Sequence, residues 1–257
     1  MAIFGAHILR MVGAKLAGSR HTRPSPAAPF LAVGDIHGRA DLLAELLGRM
    51  AADHSGWPVV FLGDYVDRGP DSRRVLDLLM AATANGGATC LMGNHERMLL
   101  DFVEDPAPRG PRWLRNGGVE TAASFDVRVP EGALDDPAAL EALRDVFVAA
   151  MGVNRIEWLR ALPLVWRSGN VWAVHAGAAP GRPMDRQSPD VLLWGHPQFL
   201  QQARDDGQWI VHGHTITDVL QARQGRIGVD TGAYATGILS AAAVTPGGVT
   251  FLQAHGG

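Results

Sequence analysis

Five short segments of the chain carry acidic, amide and imidazole side chains that could bind metal ions. They are GDIHG, GDYVDRG, GNHE, HAG and HGHT, at residues 34–38, 63–69, 93–96, 175–177 and 212–215. Each follows a short apolar run, so its polar side chains come just after a predicted strand. Asp, Asn and His together form the mixed oxygen and nitrogen ligand set that suits a pair of divalent cations. The pattern therefore predicts a metal-dependent phosphoester hydrolase.

Six residues in these segments are the candidate metal ligands: Asp35, His37, Asp64, Asn94, His175 and His214. Two ions roughly 3.5–4 Å apart could share the carboxylate of Asp64 and hold a hydroxide between them, ready for in-line attack at phosphorus. The ions would also neutralise phosphate oxygens in the transition state. Each residue alone fits an ordinary loop or core position, so the prediction depends on their joint occurrence after five predicted strands.

The five segments lie within an alternating pattern of predicted strands and helices. Predicted strands cover residues 30–33, 59–62, 88–92, 171–174 and 210–211. In open α/β sheets, ligands collect outside the carboxyl ends of the strands, so loops there gather residues that are distant in sequence. The alternation therefore places every candidate ligand just beyond a strand.

The segments between and after these strands give weaker predictions. Residues 105–135 are rich in Pro, Gly and Arg, and WLRNGG at 113–118 is predicted to be a structured loop. Asp71 and Asn154 are predicted helix N-caps. Antiparallel sheet is predicted for the C-terminal apolar runs, at residues 227–229, 238–244 and 249–252.

Composition restricts the class of protein. The chain has 257 residues, 47% hydrophobic residues and a formal net charge of −3, which predicts a sizeable core and no nucleic-acid partner. Cys90 is the only cysteine, so no internal disulfide can form, and a cytoplasmic location is expected. No apolar stretch is long enough to cross a bilayer, so no stable membrane insertion is expected.

The chain is predicted to have two parts, an N-terminal extension with a Pro-rich linker over residues 1–29 and one catalytic domain over residues 30–257. The linker is the segment RPSPAAP at 23–29. Apolar residues recur at helical spacing near the N-terminus, but Arg10 interrupts the apolar run that a secretory signal needs. We therefore favour an extension or a loosely docked helix over a targeting or membrane-surface helix.

The motif set resembles one enzyme family over nearly the whole chain, from about Phe30 to about Leu252. GDIHG, GDYVDRGPDS, GNHE, HAG and GHT resemble the phosphoprotein phosphatase branch of the calcineurin-like metallophosphoesterases. WLRNGG, LLWGHP and VDTGA are similar to segments of small bacterial serine/threonine protein phosphatases. The resemblance implies an α/β fold, a four-layer sandwich of two mixed β-sheets flanked by helices, with a dinuclear metal site at the carboxyl ends of strands.

The resemblance also implies a role for each matching residue. The first-ion ligands are Asp35, His37 and Asp64, and the second-ion ligands are Asp64, Asn94, His175 and His214. His95 matches the general acid, Asp67 the residue that orients it, and Arg68 a phosphate-binding arginine. A serine or threonine alkoxide is a poor leaving group, so a proton donor that titrates near neutral pH helps. Two alternatives stay open: Asp67 pairs only with Arg68, or Arg68 only fixes its loop.

One position departs from the family pattern. Related bacterial enzymes commonly carry an arginine at the position of His196, where it serves as a second phosphate clamp. Arg182, Arg186 or Arg204 could take its place in this chain.

Three further residues lie near the motifs. His212, two residues before His214, is interpreted as a residue that orients a ligand by a hydrogen bond. Glu96 is interpreted as an orienting or structural acid. Tyr234 either borders the site or packs as an ordinary aromatic residue.

These observations favour a serine/threonine protein phosphatase that acts on a phosphoprotein or phosphopeptide with two divalent ions. Manganese is expected, and iron and zinc suit the same ligand set. The nearest alternative is a symmetrical diadenosine tetraphosphate hydrolase, but those enzymes typically lack the acid found here as Asp67. A nuclease of the superfamily would usually carry histidine at Ile216. A non-catalytic binding module is disfavoured because every expected ligand is present.

Overall fold

The computed structural model describes residues 22–256, so the predicted helix near the N-terminus lies outside the described residues. Two five-stranded mixed sheets pack face to face. The first has the order β10-β9-β1-β2-β3, with β1 (Phe30–Val33), β2 (Val59–Phe61), β3 (Ala88–Cys90), β9 (Ile238–Thr245) and β10 (Gly248–His255). The second has the order β4-β5-β6-β8-β7, with β4 (Val165–Ser168), β5 (Val171–Val174), β6 (Trp209–His212), β7 (Gln221–Arg223) and β8 (Arg226–Gly228).

Nine α-helices of the described residues cover or connect these sheets. They are α1 (Ala40–Asp53), α2 (Ser72–Ala84), α3 (Asn94–Glu104), α4 (Pro106–Trp113), α5 (Val119–Ser124), α6 (Pro137–Met151), α7 (Val153–Arg160), α8 (Pro189–Trp194) and α9 (Ala233–Thr236). Helices α1 and α2 connect β1, β2 and β3, which are parallel to one another. Parallel strands need such crossovers, and the crossovers bring the carboxyl ends of the strands to one edge.

Three apolar clusters define the layers. One lies between the first sheet and its helices and contains Leu43, Phe61 and Phe147. A second lies between the two sheets and contains Val60 and Val211. A third includes residues of β5, β6 and α8 on the outer side of the second sheet. The predicted four-layer sandwich of two mixed sheets flanked by helices is therefore confirmed.

The segment WLRNGG forms a kink between two helices, so the structured loop predicted at 113–118 is confirmed at its centre and wrong at its start. Trp113 ends α4, Asn116 and Gly117 have non-helical backbone angles, and the chain then enters α5. The ring of Trp113 is fully buried and stacks on Phe102 with 4.7 Å between centroids. This packing fixes the end of α4, while Asn116 and Gly117, which have low helix propensity, form the kink.

Two predicted helix caps also differ from the structure. Asp71 occupies the N-cap position of α2, but its side chain makes no capping hydrogen bond. The prediction that Asn154 is an N-cap is wrong, because α7 already begins at Val153 and its N-cap residue is Gly152. The C-terminal prediction is partly wrong as well, since β8 pairs parallel with β6 and antiparallel only with β7.

Part of the segment predicted to be a linker is hydrogen-bonded to the second sheet. The amide of Ser25 donates to Asn170 at 2.6 Å, and the amide of Ala27 donates to Ser168 at 2.9 Å. The indole of Trp209 donates to the carbonyl of Thr22 at 2.6 Å. The described end of the extension therefore lies along the β4–β5 turn. No described helix is long and apolar enough to cross a membrane.

Candidate metal centre

The six candidate ligands come together where the carboxyl ends of the parallel strands meet. Asp35 and His37 follow β1, Asp64 follows β2, and Asn94 begins the helix after β3. The other two ligands come from the second sheet, His175 directly after β5 and His214 two residues after β6. Both sheets therefore contribute to one cluster, with Asp64 at its centre.

The ligand atoms form two groups that share Asp64. In the first, His37 Nε2 lies 3.6 Å from Asp64 Oδ2, and His95 Nε2 lies 3.9 Å from the same oxygen. In the second, His175 Nε2 lies 3.4 Å from Asp64 Oδ1. His214 completes that second group, and the ligand atoms within each group lie within 4.8 Å of one another.

Asn94 adjoins the second group, whereas Asp35 belongs to neither. His95 takes the place expected for Asp35 in the first group, beside His37 and Asp64. The Asn94 Oδ1 atom lies 2.8 Å from His175 Nε2 and 2.9 Å from His214 Nδ1, so the amide oxygen faces the second group. The carboxylate of Asp35 accepts the backbone N–H of His214 at 3.0 Å and lies beside the carboxyl group of Asp230.

Backbone carbonyls orient two of the imidazoles. Nδ1 of His37 contacts the carbonyl of Val66 at 2.8 Å, and Nδ1 of His175 contacts the carbonyl of Leu62 at 3.0 Å. A carbonyl can only accept, so each Nδ1 donates its proton, and each Nε2 faces the cluster. Hydrogen bonds of this kind are typical of histidines that ligate metal ions.

The loop after β2 is held by a buried acid that sequence reasoning described only as an orienting or structural group. The carboxylate of Glu96 accepts the backbone N–H groups of Asp64, Tyr65 and Val66 at 2.8, 2.8 and 3.2 Å. It also accepts the N–H of Gly93 at 3.0 Å. Burial and the nearby carboxylate of Asp64 raise the pKa of Glu96 to about 7. Glu96 therefore fixes the backbone that carries the central ligand.

Much of this backbone adopts a conformation that disfavours a side chain. Among the described non-glycine residues, seven have a positive φ, and five of these belong to the cluster or its loops. They are His37, Asp64, Asp67, Arg68 and His214. Such residues cost on the order of 1–3 kcal/mol each and persist only where their surroundings fix them.

The electrostatics of the cluster suit cations. Burial and the nearby carboxylates of Asp230 and Asp64 raise the pKa of Asp35 well above its ordinary value, and burial raises the pKa of Asp230 to about 6. Burial also lowers the pKa of His37 to about 3 and that of His214 to about 4, so both imidazoles are neutral at pH 7. Neutral imidazoles are the form that ligates metal ions, and a divalent cation would offset the repulsion among the acids. The donor set therefore fits the metal ions that the sequence predicts.

A second feature of the cluster is a buried pair of His95 and Asp67. His95 Nδ1 lies 2.7 Å from Asp67 Oδ2, and both side chains are almost completely buried. Burial opposes the charged imidazole, yet the carboxylates of Asp64 and Asp67 outweigh it and raise the pKa of His95. The other oxygen of Asp67 accepts the indole N–H of Trp113 at 3.0 Å and the hydroxyl of Thr121 at 2.7 Å.

Arg68 lies at the exposed rim of the cluster. Its Nη2 atom is 3.1 Å from His95 Nε2, and its guanidinium lies 4.7 Å from the centre of the Tyr234 ring. Among the described ion pairs there is none between Arg68 and Asp67, and Asp67 pairs with His95 instead. The structure therefore excludes the alternative in which Asp67 only pairs with Arg68.

Other residues named from the sequence lie elsewhere. Nδ1 of His212 contacts the carbonyl of Gly213 at 3.0 Å, so it orients no candidate ligand through that atom. His196 accepts the amide of Gln198 at 3.2 Å within a local turn. Arg204 is buried, pairs with Asp206 and donates to the carbonyl of Ala179 at 2.9 Å, so it is not free to serve as a phosphate clamp.

Sequence reasoning did not assign Asp230 or Thr121 to the site. Of the two interpretations of Tyr234, the structure has the one at the border of the site, against Arg68 and His37. Asp230 lies in the VDTGA segment, which the motif comparison singled out without giving any residue a role. Trp113 lies in WLRNGG, 46 positions from Asp67 in the chain, and Thr121 lies just after that segment, 54 positions from Asp67. No local pattern links residues at that separation, because only the packing of α4 and α5 brings them together.

Comparisons with known proteins agree with this geometry. The model of the calcineurin-like phosphoesterase family matches residues 28–218. A symmetrical bis(5'-nucleosyl)-tetraphosphatase of Neisseria meningitidis is 30% identical over 149 residues, which are 58% of this chain and 43% of the relative. Serine/threonine-protein phosphatase 1 of Salmonella typhimurium is 40% identical over 86 residues, 34% of this chain and 37% of the relative. The aligned regions thus span less than half the length of these two curated relatives.

A solved structure shares the fold. The crystal structure of a putative diadenosine tetraphosphatase superposes with a TM-score of 0.62 at 24% sequence identity, and the match covers 91% of this chain and 97% of that one. At this identity the similarity establishes the architecture and leaves the substrate to the chemistry of the site.

Proposed function

The chain belongs to the calcineurin-like phosphoesterase family, and on that basis we propose that it hydrolyses phosphoserine and phosphothreonine in proteins or peptides. A metal-dependent phosphoester hydrolase follows from the family and from the two ligand groups that share Asp64. The observation that carries the choice of substrate is the buried contact of 2.7 Å between His95 and Asp67 beside that cluster.

We propose that Asp35, His37 and Asp64 hold one divalent cation, and that Asp64, Asn94, His175 and His214 hold the second. When bound, the cations supply Lewis-acid stabilisation of phosphate charge and lower the pKa of water. Manganese is proposed because the mixed carboxylate, amide and imidazole set accepts it, and iron and zinc suit the same donors. Imidazoles kept neutral by burial need not lose a proton before they bind an ion.

The protein's own groups then handle the leaving group. His95 Nε2 faces the cluster, and the carboxylate of Asp67 holds its other nitrogen, so the imidazolium can donate a proton to the departing alkoxide. Trp113 and Thr121 fix the carboxylate by donating to its second oxygen. Arg68, at the rim beside His95, binds phosphate oxygens with a planar guanidinium that stays charged.

This proton donor supports an alkyl phosphate substrate. Serine and threonine alkoxides are strong bases and leave slowly without a proton, whereas a nucleoside polyphosphate leaves as a stable anion and gains little from an acid. The alternative function, cleavage of a symmetrical dinucleoside tetraphosphate, is supported by the 30% identity with the Neisseria meningitidis enzyme. We further propose a cytoplasmic location, with which a single cysteine agrees.

The test compares three substrates side by side: a phosphoseryl peptide, a phosphotyrosyl peptide and diadenosine tetraphosphate, each with added manganese. We expect the phosphoseryl peptide to have the highest kcat/KM, and Asp64→Asn to abolish its turnover. Manganese should also raise the Tm of the wild-type protein and leave that of Asp64→Asn nearly unchanged. Dominant turnover of the dinucleotide would refute the proposed phosphoprotein substrate and leave the proposed metal centre unaffected. Lack of turnover of all three substrates would refute the proposed hydrolase activity.

A further inference from the structure

A cavity of about 250 Å³ lies next to the metal centre and takes no part in the chemistry described so far. It is bounded by the ends of β6 and β8, by the edge strand β7 and by the loop at 215–219. Its lining includes Leu200, His212, Ile216, Val219, Arg223 and Arg226. His212 and Thr215 both line the cavity, and they flank the candidate ligand His214 in the chain, so the cavity adjoins the second ligand group.

Two arginines give the cavity its charge. Arg223 and Arg226 are direct cross-strand partners in the β7–β8 hairpin, and like charges at such positions are destabilising. Neither has a carboxylate partner among the ion pairs of residues 22–256, although Arg226 is only 8% exposed. Burial and the charge of Arg223 lower the pKa of Arg226.

The two arginines differ in what else they do. Arg226 Nη1 donates to the carbonyls of Phe199 and Gln202 at 2.9 and 3.0 Å, so this guanidinium also holds a turn. Arg223 is exposed and makes no side-chain hydrogen bond within the described chain, so its five N–H groups face solvent and the cavity. An anion in the cavity would relieve the repulsion and accept these donors.

The uncharged lining residues indicate which kind of molecule the anionic group belongs to. Leu200, Ile216 and Val219 are 51%, 46% and 64% exposed, so the rim of the cavity is apolar. Among the described lining residues none has a Phe, Tyr or Trp ring on which a nucleobase could stack. An apolar rim over a cationic floor fits a peptide with acidic and aliphatic side chains better than it fits a nucleotide.

We propose that this cavity binds an acidic group, a carboxylate or a second phosphoryl group, of the peptide that carries the reacting phosphoester. The inference rests on the proposed function for the identity of the substrate, while the cavity and its charge do not depend on it. The enzyme would then prefer phosphosites with an acidic neighbour. Two charges held at adjoining positions would also fix the peptide's direction across the metal centre.

The experiment uses Arg223, because its replacement leaves the turn held by Arg226 intact. The substrates are a phosphoseryl peptide with flanking Asp and Glu, the same peptide with Asn and Gln, and p-nitrophenyl phosphate, which has no second anion. The variants are Arg223→Ala, Arg223→Glu and Arg223→Lys. Arg167→Ala is the matched control, because Arg167 lies exposed on β4 at the opposite edge of the same sheet.

Arg223→Ala is expected to raise KM for the acidic peptide about two- to tenfold and to leave the other two substrates unchanged. Arg223→Glu should raise it further, and Arg223→Lys should restore most of the affinity. An equal change for acidic and neutral peptides, no change for either, or the same effect from Arg167→Ala would overturn the proposal. Diadenosine tetraphosphate is assayed with the same variants, and a rise in KM confined to it would overturn the proposal too, since the anion would then belong to a nucleotide.

A binding measurement separates failure of this proposal from failure of the proposed function. Anisotropy of fluorescently labelled acidic and neutral peptides, with a non-hydrolysable phosphonate in place of the phosphoester and with the manganese-loaded protein, compares affinities without turnover. If the protein hydrolyses p-nitrophenyl phosphate and neither peptide, the proposed substrate is wrong. The cavity proposal then stands only if the acidic peptide binds more tightly than the neutral one and Arg223→Ala removes the difference.

Discussion

Replacing Asp67 with Asn tests the proton donor at the centre of the proposed mechanism. The amide oxygen of Asn can still accept from Trp113 and Thr121, so the variant should keep the fold around α4 and α5. Its NH₂ group, however, faces His95 Nδ1 in place of a carboxylate. The imidazole must then accept a proton at Nδ1, and its charged form loses its partner.

The size of the effect follows from that one contact. The contact between Asp67 and His95 is 2.7 Å long and buried, and a hydrogen bond to a charged group contributes about 1.5–3 kcal/mol. At 1.36 kcal/mol per factor of ten, this predicts a loss of kcat of about 10- to 150-fold on a phosphoseryl peptide. Nitrophenolate leaves readily without a proton, so the loss on p-nitrophenyl phosphate should be only about threefold or less.

The pH profile gives a second, independent readout. The pKa of His95 is raised in the folded protein, so the proton donor is present at low pH and is lost as pH rises through that value. Without the Asp67 carboxylate, the alkaline limb of kcat should move to lower pH. The matched control is Asp71→Asn, the same chemical change at a residue whose side chain makes no capping contact. Equal losses on both substrates, or an unmoved alkaline limb, would refute the proton-donor role.

Three further predictions concern Gly93, Asp206 and Cys90. Gly93→Ala puts a methyl group against the carboxylate of Asp64 and should abolish the rise in Tm that manganese produces. The control is Gly48→Ala, which has open space on the surface of α1 and should stabilise the protein by about 0.5–1 kcal/mol. The pKa of Asp206 is lowered because hydrogen bonds, chiefly from its arginine partner, outweigh burial, so Asp206→Asn should reduce the free energy of unfolding by about 0.5–1 kcal/mol at pH 7. That deficit should shrink as pH falls below about 4, which urea titrations at pH 7 and pH 3 would detect. Burial raises the pKa of Cys90, so iodoacetamide should label it only after denaturation, as mass spectrometry would show, and labelling of the folded protein at pH 8 would contradict this.

The ligand-bearing segments were predictable because each is local. A short apolar run followed by Asp35, by Asp64 or by Asn94 identifies both the strand and the end from which the side chain projects. Parallel strands then bring such ends together without further information. The sequence pattern therefore predicted most of the cluster, and the resemblance supplied the roles.

What the sequence did not predict depends on contacts between distant elements. Trp113 lies in a Gly- and Asn-rich segment that indicates a loop, yet it ends α4 and is buried against Phe102, so the non-helical backbone is limited to Asn116 and Gly117. His212 lies two residues before His214, a spacing that would put both side chains on one face of a continuous strand. Strand β6 ends at His212, however, and His214 has a φ of 61°, so the alternation does not continue and His212 lines the cavity. Strand β7, with Gln221 and Arg223, is too short and polar to give any strand signal.

The left-handed residues around the cluster have a consequence for engineering. His37, Asp64 and His214 are held at φ values of 44°, 54° and 61°. Glycine adopts such values readily, whereas a residue with a Cβ atom does so at a cost. Glycine at any of these positions would relax the chain while deleting a ligand. A mutant library sorted only for resistance to heat would therefore accumulate inert proteins, so any selection for robustness must be coupled to turnover.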